Sequence, residues 1–296
     1  PPADVPNLNE GFMSQHTDAT QAAKTPIALT IAGSDSGGGA GVQADLKAFS
    51  ALGVYGASVL TAITAQNTVT VSAVHEVPAD IVGAQITAVL GDLHVDSIKI
   101  GMLFSVPIIK VIAECLDAFK GTVILDPVMI AKSGDALLQA DAVEAMKTYM
   151  LPRADLLTPN LPEAAGLLGT AEAQDLTQAQ AQGAALLDLG LRAVLMKGGH
   201  SAGDICTDLL ITDENGARRT DRFEALRVPT HNTHGTGCTY SASIAAYVAR
   251  GMTLPEATKA AHTYLQGAIR AADTLQIGSG HGPVHHFYQS WQDVQS

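Results

Sequence analysis

The sequence predicts an α/β fold with a largely parallel central sheet and helices on both of its faces. Short apolar runs rich in β-branched residues alternate with longer stretches whose apolar residues lie three and four positions apart. This alternation is typical of βαβ units. The 296 residues are 47% hydrophobic and 16% charged, so the chain can bury one large core.

The predicted strands are continuous apolar runs, as expected of strands that are buried on both faces. They are residues 27–33, 58–65, 97–102, 122–126, 154–160 and 192–199. Helical periodicity predicts helices at 41–52, 81–93, 142–151 and 177–190. Residues 204–225 are predicted to form a β-hairpin that turns at Asn215 and Gly216. We expect residues 1–25, which are polar and aperiodic, to be a flexible extension before one domain of residues 26–296.

Composition excludes several classes of function. The 17 Lys and Arg against 29 Asp and Glu give a net charge of −12, which speaks against a general nucleic-acid surface. The three cysteines, Cys115, Cys206 and Cys238, form no CxxC pair, so neither a disulfide framework nor a zinc site is indicated and a cytoplasmic location fits. No segment reaches the roughly 18 apolar residues of a membrane-spanning helix.

The first glycine loop, residues 33–41 with the sequence GSDSGGGAG, follows the first predicted strand and opens a helix. It does not match a dinucleotide-binding GxGxxG pattern, because Val42 stands three residues after Gly39, and no P-loop lysine follows the glycines. The loop is either an ordinary tight turn or a place where backbone approaches a small flat ligand, with Gln43 offering a donor and an acceptor.

The second glycine loop, residues 233–238 with the sequence THGTGC, runs into an Ala-rich helical stretch. Amide groups at a helix N-terminus can hold an oxyanion. Cys238 stands there, and a helix N-terminus is expected to lower the pKa of a thiol. The alternatives are a flexible loop before a packing helix and an inert, buried thiol.

The histidines are weaker candidates. His281, His285 and His286 show spacing seen in zinc sites, but Gly282 and Pro283 break any helix between them. His234 either contacts phosphate or makes a structural hydrogen bond.

Eight motifs in order resemble the hydroxymethylpyrimidine/phosphomethylpyrimidine kinase family of thiamine biosynthesis, within the ribokinase-like superfamily. They are IAGSDSGGGAGVQADLKAFSALGVYG (31–56), TAQNT (64–68), KIGML (99–103), LDPVMIAKSGDALL (125–138), TPNLPEA (158–164), LMKGGH (195–200), NTHGTGCT (232–239) and GPVHHF (282–287). The resemblance covers residues 26–291. One departure is Ser36-Gly37, where the family often has Pro-Ser or Ser-Ser.

The resemblance implies a ribokinase-like three-layer sandwich, a homodimer, and two phosphorylations at one site. MgATP would phosphorylate 4-amino-5-hydroxymethyl-2-methylpyrimidine to its monophosphate and then to the diphosphate. Catalysis would rest on an anion hole of Gly235, Thr236 and Gly237 and on Cys238, which stands where sugar kinases of the superfamily carry an aspartate base. A thiol would avoid a permanent negative charge beside the incoming phosphates.

The resemblance also implies binding roles. Gln43 would read the pyrimidine amine and ring nitrogen, and Lys132 would grip the first phosphate during the second transfer. The pocket wall would comprise Ala32, Gly33, Asp35, Met102 and Val128, although Met102 and Val128 could equally be ordinary core residues.

On the nucleotide side, ATP would contact Asn160, Lys197, Asn232, Thr233 and Gly235. Asp126 and Glu163 would hold Mg²⁺, largely through water, because carboxylate oxygens are the ligands this cation prefers. The alternative for Glu163 is an exposed helix position.

Two other functions stay open on the sequence. One is a pyridoxal-type vitamin kinase, which shares the anion hole. The other is a catalytically silent pyrimidine-binding regulatory module, against which the presence of Asp126, Glu163, Lys197 and Cys238 argues.

Overall fold

One mixed, mostly parallel sheet organises the molecule. In this computed structural model, which describes residues 24–129, 141–199, 203–214 and 216–291, that sheet contains nine strands. Their bounds are β1 Ile27–Asp35, β2 Tyr55–Gln66, β3 Val71–Glu76, β4 Ser97–Ile100, β5 Thr122–Leu125, β6 Leu156–Leu157, β7 Ala193–Met196, β8 Ile205–Glu214 and β9 Ala217–Leu226.

The strand order is β3-β2-β1-β4-β5-β6-β7-β8-β9. Neighbours from β2 to β7 pair in parallel, whereas β3, β8 and β9 join antiparallel at the two edges. The prediction of a largely parallel sheet is confirmed. The parallel strands all end at one edge of the sheet, where ligands bind in such folds.

Helices cover both faces of the sheet. Their bounds are α1 Gly41–Ala51, α2 Ala79–Asp92, α3 Val106–Leu116, α4 Ala142–Ala145, α5 Leu161–Leu168, α6 Leu176–Leu187, α7 Thr236–Ala249 and α8 Leu254–Arg270. One buried cluster includes Ile86 of α2, Ile112 of α3 and Leu167 of α5. A second includes Phe49 of α1, Ile244 of α7 and Leu265 of α8. The three-layer arrangement is therefore confirmed.

The differences from the predicted elements lie at boundaries and in three elements that were not predicted, helices α3 and α8 and strand β3. The run 154–160 contributes only two strand residues, because its last part leaves the sheet to cap α5. The predicted helix 142–151 begins as α4 and continues as a π-helical turn over Met146–Met150. Residues 204–225 do form the hairpin β8–β9, but Asn215 of its turn lies outside the described residues. Strand β3 was not predicted, because its sequence lacks a continuous apolar run. Most of its residues are exposed on both faces of the strand.

Candidate active site

Functional side chains follow three neighbouring strands at the carboxyl edge of the sheet. Asp126 comes directly after β5, Asn160 three residues after β6, and Lys197 directly after β7. Because these strands are parallel neighbours, the side chains meet at one edge. The sequence placed all three residues at a nucleotide site, and the structure brings them together.

Lys197 lies between two carboxylates. Its Nζ is 2.7 Å from Asp126 Oδ1 and 3.8 Å from Glu163 Oε2. Thr158 donates a further hydrogen bond to Asp126 Oδ1 at 3.1 Å. A side chain on Gly237 would lie 3.4 Å from Lys197 Nζ and 3.7 Å from Asp126 Oδ2. The charged cluster therefore faces the first turn of α7.

The charged groups in this cluster shift one another's pKa values. Burial opposes charge on Lys197, but Asp126 and Glu163 outweigh it and raise the pKa of the ammonium. Burial likewise acts to raise the pKa of Asp126, whereas Lys197 and Lys99 lower it, and the net direction is down. Burial raises the pKa of Glu163 to about 7, with Lys197 opposing and Asp126 reinforcing that rise. The site thus holds one firm ion pair and one carboxyl that titrates near neutrality.

Glu163 is buried, so the alternative of an exposed helix position is wrong. It forms a capping box at the start of α5: its carboxylate accepts from the Asn160 amide at 2.8 Å, and Asn160 Oδ1 accepts from the Glu163 amide at 2.8 Å. Each oxygen of such a box satisfies an amide that the helix leaves unpaired. Asn160 and Glu163 are therefore anchored in position beside Lys197.

The amino end of α7 is built differently. Its N-cap is Gly235, in the left-handed region with φ 75°, and it has no side-chain cap. The Thr236 amide donates to Thr233 and the Thr239 amide to Gly235. The intervening amides of Gly237 and Cys238 belong to the helix turn that has no intrahelical acceptors. This arrangement suits an anion, as the sequence predicted, although the Thr236 amide is engaged within the loop.

Cys238 lies in the first turn of α7, where a lowered thiol pKa was expected. That expectation is wrong: burial raises the pKa of Cys238 to about 11. Lys99 and the Gly41 amide oppose the rise, whereas Asp45 and Asp126 add to it. Burial makes the largest contribution to this rise, because it disfavours the charged thiolate.

A buried ion pair underlies this part of the site. Lys99 and Asp45 are fully buried, with Nζ 2.8 Å from Oδ2 and 2.9 Å from Oδ1, and Thr30 donates to the same carboxylate at 2.6 Å. Neither residue was singled out from the sequence. A lysine within an apolar strand, with an aspartate inside the facing helix, was the available signal.

The first glycine loop is held by its own polar side chains. Asp35 accepts from the amides of Gly37, Gly39 and Ala40 at 2.8, 3.0 and 2.8 Å. Gln43 accepts from the Asp35 amide at 2.9 Å and donates to Ser34 at 2.7 Å. Gln43 thus braces the loop, although its amide nitrogen has a second hydrogen and its oxygen a second lone pair. Its role as pyrimidine reader stays a prediction. Asp35 likewise shapes the loop, and its place in the pocket wall also stays a prediction.

Gln66 is a residue that the sequence reasoning missed. It ends β2, and its Oε1 accepts from Thr64 at 3.1 Å. Its amide nitrogen lies 3.4 Å from His234 Nε2, which in turn contacts Asp35 Oδ2 at 2.8 Å. Since a carboxylate only accepts, that ring nitrogen carries the hydrogen, and the Gln66 amide nitrogen then meets a second donor and not an acceptor. Its position at a strand end, in TAQNT, was the available signal.

The residues predicted to form the pocket wall differ in burial. Ala32 and Met102 are buried, and a side chain on Gly33 would lie 2.9 Å from Met102 Sδ. Val128 is half-buried after β5. Met102 thus packs beneath Gly33, and this position is consistent with both a pocket wall and a core residue. Lys132 lies outside the described residues.

Asn232 and Thr233 make contacts within the fold. Asn232 donates to Asp273 at 2.7 Å and accepts from the Gly282 amide at 3.0 Å, so its side chain ties the second glycine loop to the C-terminal segment. The Thr233 carbonyl accepts from Thr236 Oγ1 at 2.7 Å. The side-chain amide of Asn232 is thus used within the fold, and its assignment to the nucleotide stays a prediction.

His285 and His286 are buried and His281 is exposed. Among the described residues no group of three or more His, Cys, Asp or Glu side chains is arranged to hold a metal ion. In the same part of the chain, no helix is both long and apolar enough to cross a membrane.

Comparisons with known proteins point to one family. A sequence model of phosphomethylpyrimidine kinase matches residues 35–285. A hydroxymethylpyrimidine/phosphomethylpyrimidine kinase of Rhizobium meliloti is 55% identical over 91% of this chain and all of its own. Among solved structures, a Bacillus subtilis pyridoxal kinase in complex with ADP superposes with a TM-score of 0.82 at 32% identity, covering 91% of this chain and 100% of its own. A phosphomethylpyrimidine kinase of Clostridium difficile gives 0.71 at 41% identity, covering 83% and 100%.

Proposed function

The chain belongs to the phosphomethylpyrimidine kinase family, and from this premise we propose that one site at the amino end of α7 performs both phosphorylations. The chain is a kinase of thiamine biosynthesis that phosphorylates the hydroxymethylpyrimidine. The observation that supports this location is the Lys197 cluster facing Gly237 beside an uncapped helix N-terminus. Lys197 supplies a positive charge, and the first turn of α7 supplies unpaired amides, where a phosphoryl group would be transferred.

In this proposal the amides of Gly237 and Cys238 hold the migrating phosphoryl group, and Lys197 neutralises charge on the ATP phosphates. Phosphoryl transfer has a loose transition state, so the protein contributes mainly position and charge. ATP use is supported by the family and by the ADP complex of the related pyridoxal kinase.

Asp126 and Glu163 fit a cation carried by the nucleotide. Their oxygens are hard ligands, both lie within 3.8 Å of Lys197 Nζ, and two carboxylates are the number with which proteins usually hold Mg²⁺ while water fills its other positions. When bound there, Mg²⁺ would neutralise charge that develops on the phosphates. The capping box holds Glu163 in place for this task.

Besides Gln43, we propose Gln66 as a reader of the pyrimidine. Its amide nitrogen is not satisfied by His234, and it lies at the carboxyl end of β2, beside the first glycine loop. Cys238 would face the acceptor hydroxyl. With a pKa of about 11 the thiol is neutral near pH 7, and only a small thiolate fraction could accept the proton.

A coupled assay of ADP release tests the function. We expect turnover with the hydroxymethylpyrimidine and with its monophosphate, each ADP released matching one phosphate transferred. Pyridoxal is the third acceptor, because the superposition with a pyridoxal kinase favours that activity as the second candidate. Faster turnover of pyridoxal than of both pyrimidines would replace the proposal with a pyridoxal kinase.

The assembly is a further proposal. We expect a homodimer in the cytoplasm, with residues 26–296 as one domain. Ile63, Val74 and Ile81 expose apolar side chains near the β3 edge and are available for such an interface. Light scattering coupled to gel filtration measures the mass directly, and a monomer at assay concentration would refute the dimer.

A further inference from the structure

His234 connects the two glycine loops. It stands directly before Gly235 in the second loop, and its Nε2 lies 2.8 Å from Oδ2 of Asp35 in the first loop. Both residues are buried, with exposures of 8% and 2%. A buried contact between an imidazole and a carboxylate far apart in the chain is specific, because an unmatched partner would remain unpaired away from water.

The carboxylate that His234 contacts is the one that shapes the first loop. Asp35 already accepts from three amides, those of Gly37, Gly39 and Ala40. Any shift of the His234 ring therefore acts on the acceptor around which that loop is folded. On its other side, His234 donates its own amide to the Gly282 carbonyl at 3.0 Å and accepts from the Val284 amide at 3.4 Å.

The two loops also touch through backbone. A side chain on Gly235 would lie 1.8 Å from the Gly39 carbonyl oxygen, and one on Gly39 would lie 2.4 Å from His234 Cδ2. The loops are therefore in contact at glycines on both sides, and the side-chain link that spans this contact is His234 with Asp35.

We propose that His234 is a positioning residue: it fixes the first glycine loop against the anion hole of the second, and so sets the distance from acceptor to phosphoryl group. The inference rests on the proposed function for its effect on catalysis. Phosphoryl transfer depends on placement, and a misplacement of about 1 Å can lower the rate roughly 100-fold. His234 does not touch the reacting atoms in this account.

The test compares three variants with a matched control. His234→Leu removes the ring hydrogen bond, His234→Gln can place an amide N–H near the position of Nε2, and His234→Asn is too short to reach Asp35. The control is His281→Leu, which changes an exposed histidine in the adjacent segment. We would measure kcat, KM for both substrates, and hydrogen exchange at the amides of Gly37, Gly39 and Ala40.

For His234→Leu and His234→Asn we expect kcat to fall about 10–100-fold with KM values within roughly threefold. Exchange at the three amides should be about tenfold faster or more, since Asp35 loses a partner. His234→Gln should recover most of both losses, and the control should show neither. If His234→Leu does not fold, the Asn and Gln pair decides alone.

Unchanged kcat and unchanged exchange in the Asn variant would overturn the inference. Equal losses in Gln and Asn variants would also do so, because the hydrogen bond would then be irrelevant. Failure of the proposed function is a separate result: the wild type would not phosphorylate the pyrimidine, while exchange in the first loop would still respond to His234.

Discussion

Two helices begin at the same edge of the sheet, and they begin in opposite ways. Helix α5 is closed by the capping box of Asn160 and Glu163, whereas α7 starts at Gly235 with no side-chain cap. The box satisfies the first amides of α5 internally. Helix α7 has no such side-chain cap, so its first amides are available to the anion that we propose there. A helix N-terminus is thus closed by side chains in one place and open in the other.

The largest expected effect comes from closing the open end of α7. Gly235→Ala places a methyl group against the Gly39 carbonyl, at a residue with φ 75°. We expect kcat to fall by about 10²–10³, the usual cost of losing an oxyanion donor, because the displaced loop would move the amides of Gly237 and Cys238. The matched control is Gly251→Ala, another left-handed glycine with no neighbour within 4 Å of the added atom. If both variants keep full activity, α7 does not hold the phosphoryl group.

The thiol in the open turn gives the next effect. We expect Cys238→Ala to lower kcat about 10²-fold, the lower end of the range for general-base catalysis, because little thiolate is present. Since the pKa of Cys238 is about 11, the wild-type rate should rise as pH increases from 7 to 9, whereas the alanine variant should be flat. Parallel pH profiles would remove Cys238 from proton transfer.

A related variant separates the two transfers. Cys238→Asp should recover part of the first phosphorylation, whose acceptor is neutral. It should recover less of the second, whose acceptor already carries phosphate and would be repelled by a carboxylate. Product ratios by chromatography measure this, and equal recovery of both steps would refute the charge argument.

The closed helix is tested at its carboxylate. Glu163→Gln keeps an oxygen for the capping box but removes charge beside Lys197, so the Mg²⁺ concentration for half-maximal rate should rise about tenfold. Glu256→Gln is the control, because Glu256 forms the equivalent box with Thr253 at the start of α8. Pyrimidine affinity without ATP, measured by calorimetry, should not change in either variant. A loss of that affinity in Glu163→Gln alone would make Glu163 a substrate residue.

The last prediction concerns stability and not catalysis, at the contact between α7 and the C-terminal segment. Thr239 of α7 lies 2.9 Å from His286 Nε2, and burial lowers the pKa of His286 to about 3, with Lys47 and His285 contributing. Below pH 6.5, His286 is therefore protonated in the unfolded chain but stays neutral in the folded chain. Unfolding free energy should fall by up to about 1.4 kcal/mol per pH unit from pH 6.5 toward 3. Chemical denaturation should show a weaker decline for His286→Gln, and an identical decline would assign the pH dependence to other groups.

The comparison also shows where sequence reasoning succeeds. Asp126, Asn160 and Lys197 follow strands, and parallel strands bring their ends together, so position along the chain predicted position in space. For Gln43 and Asn232 the sequence did not predict their partners within the fold. The amide nitrogen of Gln43 donates to Ser34, and that of Asn232 donates to Asp273. Cys238 shows a third limit, because its pKa depends on burial and on Asp45 and Asp126, which only the fold brings near.

The two edge strands of the sheet differ in the number of charged side chains that they carry. Edge strand β9 carries five charged side chains in ARRTDRFEAL, whereas β3 carries only Glu76 in VSAVHE. Unpaired edge strands can template aggregation, and charged side chains oppose it. During synthesis and refolding, the β9 edge is therefore protected against strand addition by its own composition. The β3 edge lacks such charges, so we expect strand addition during refolding to begin at that edge.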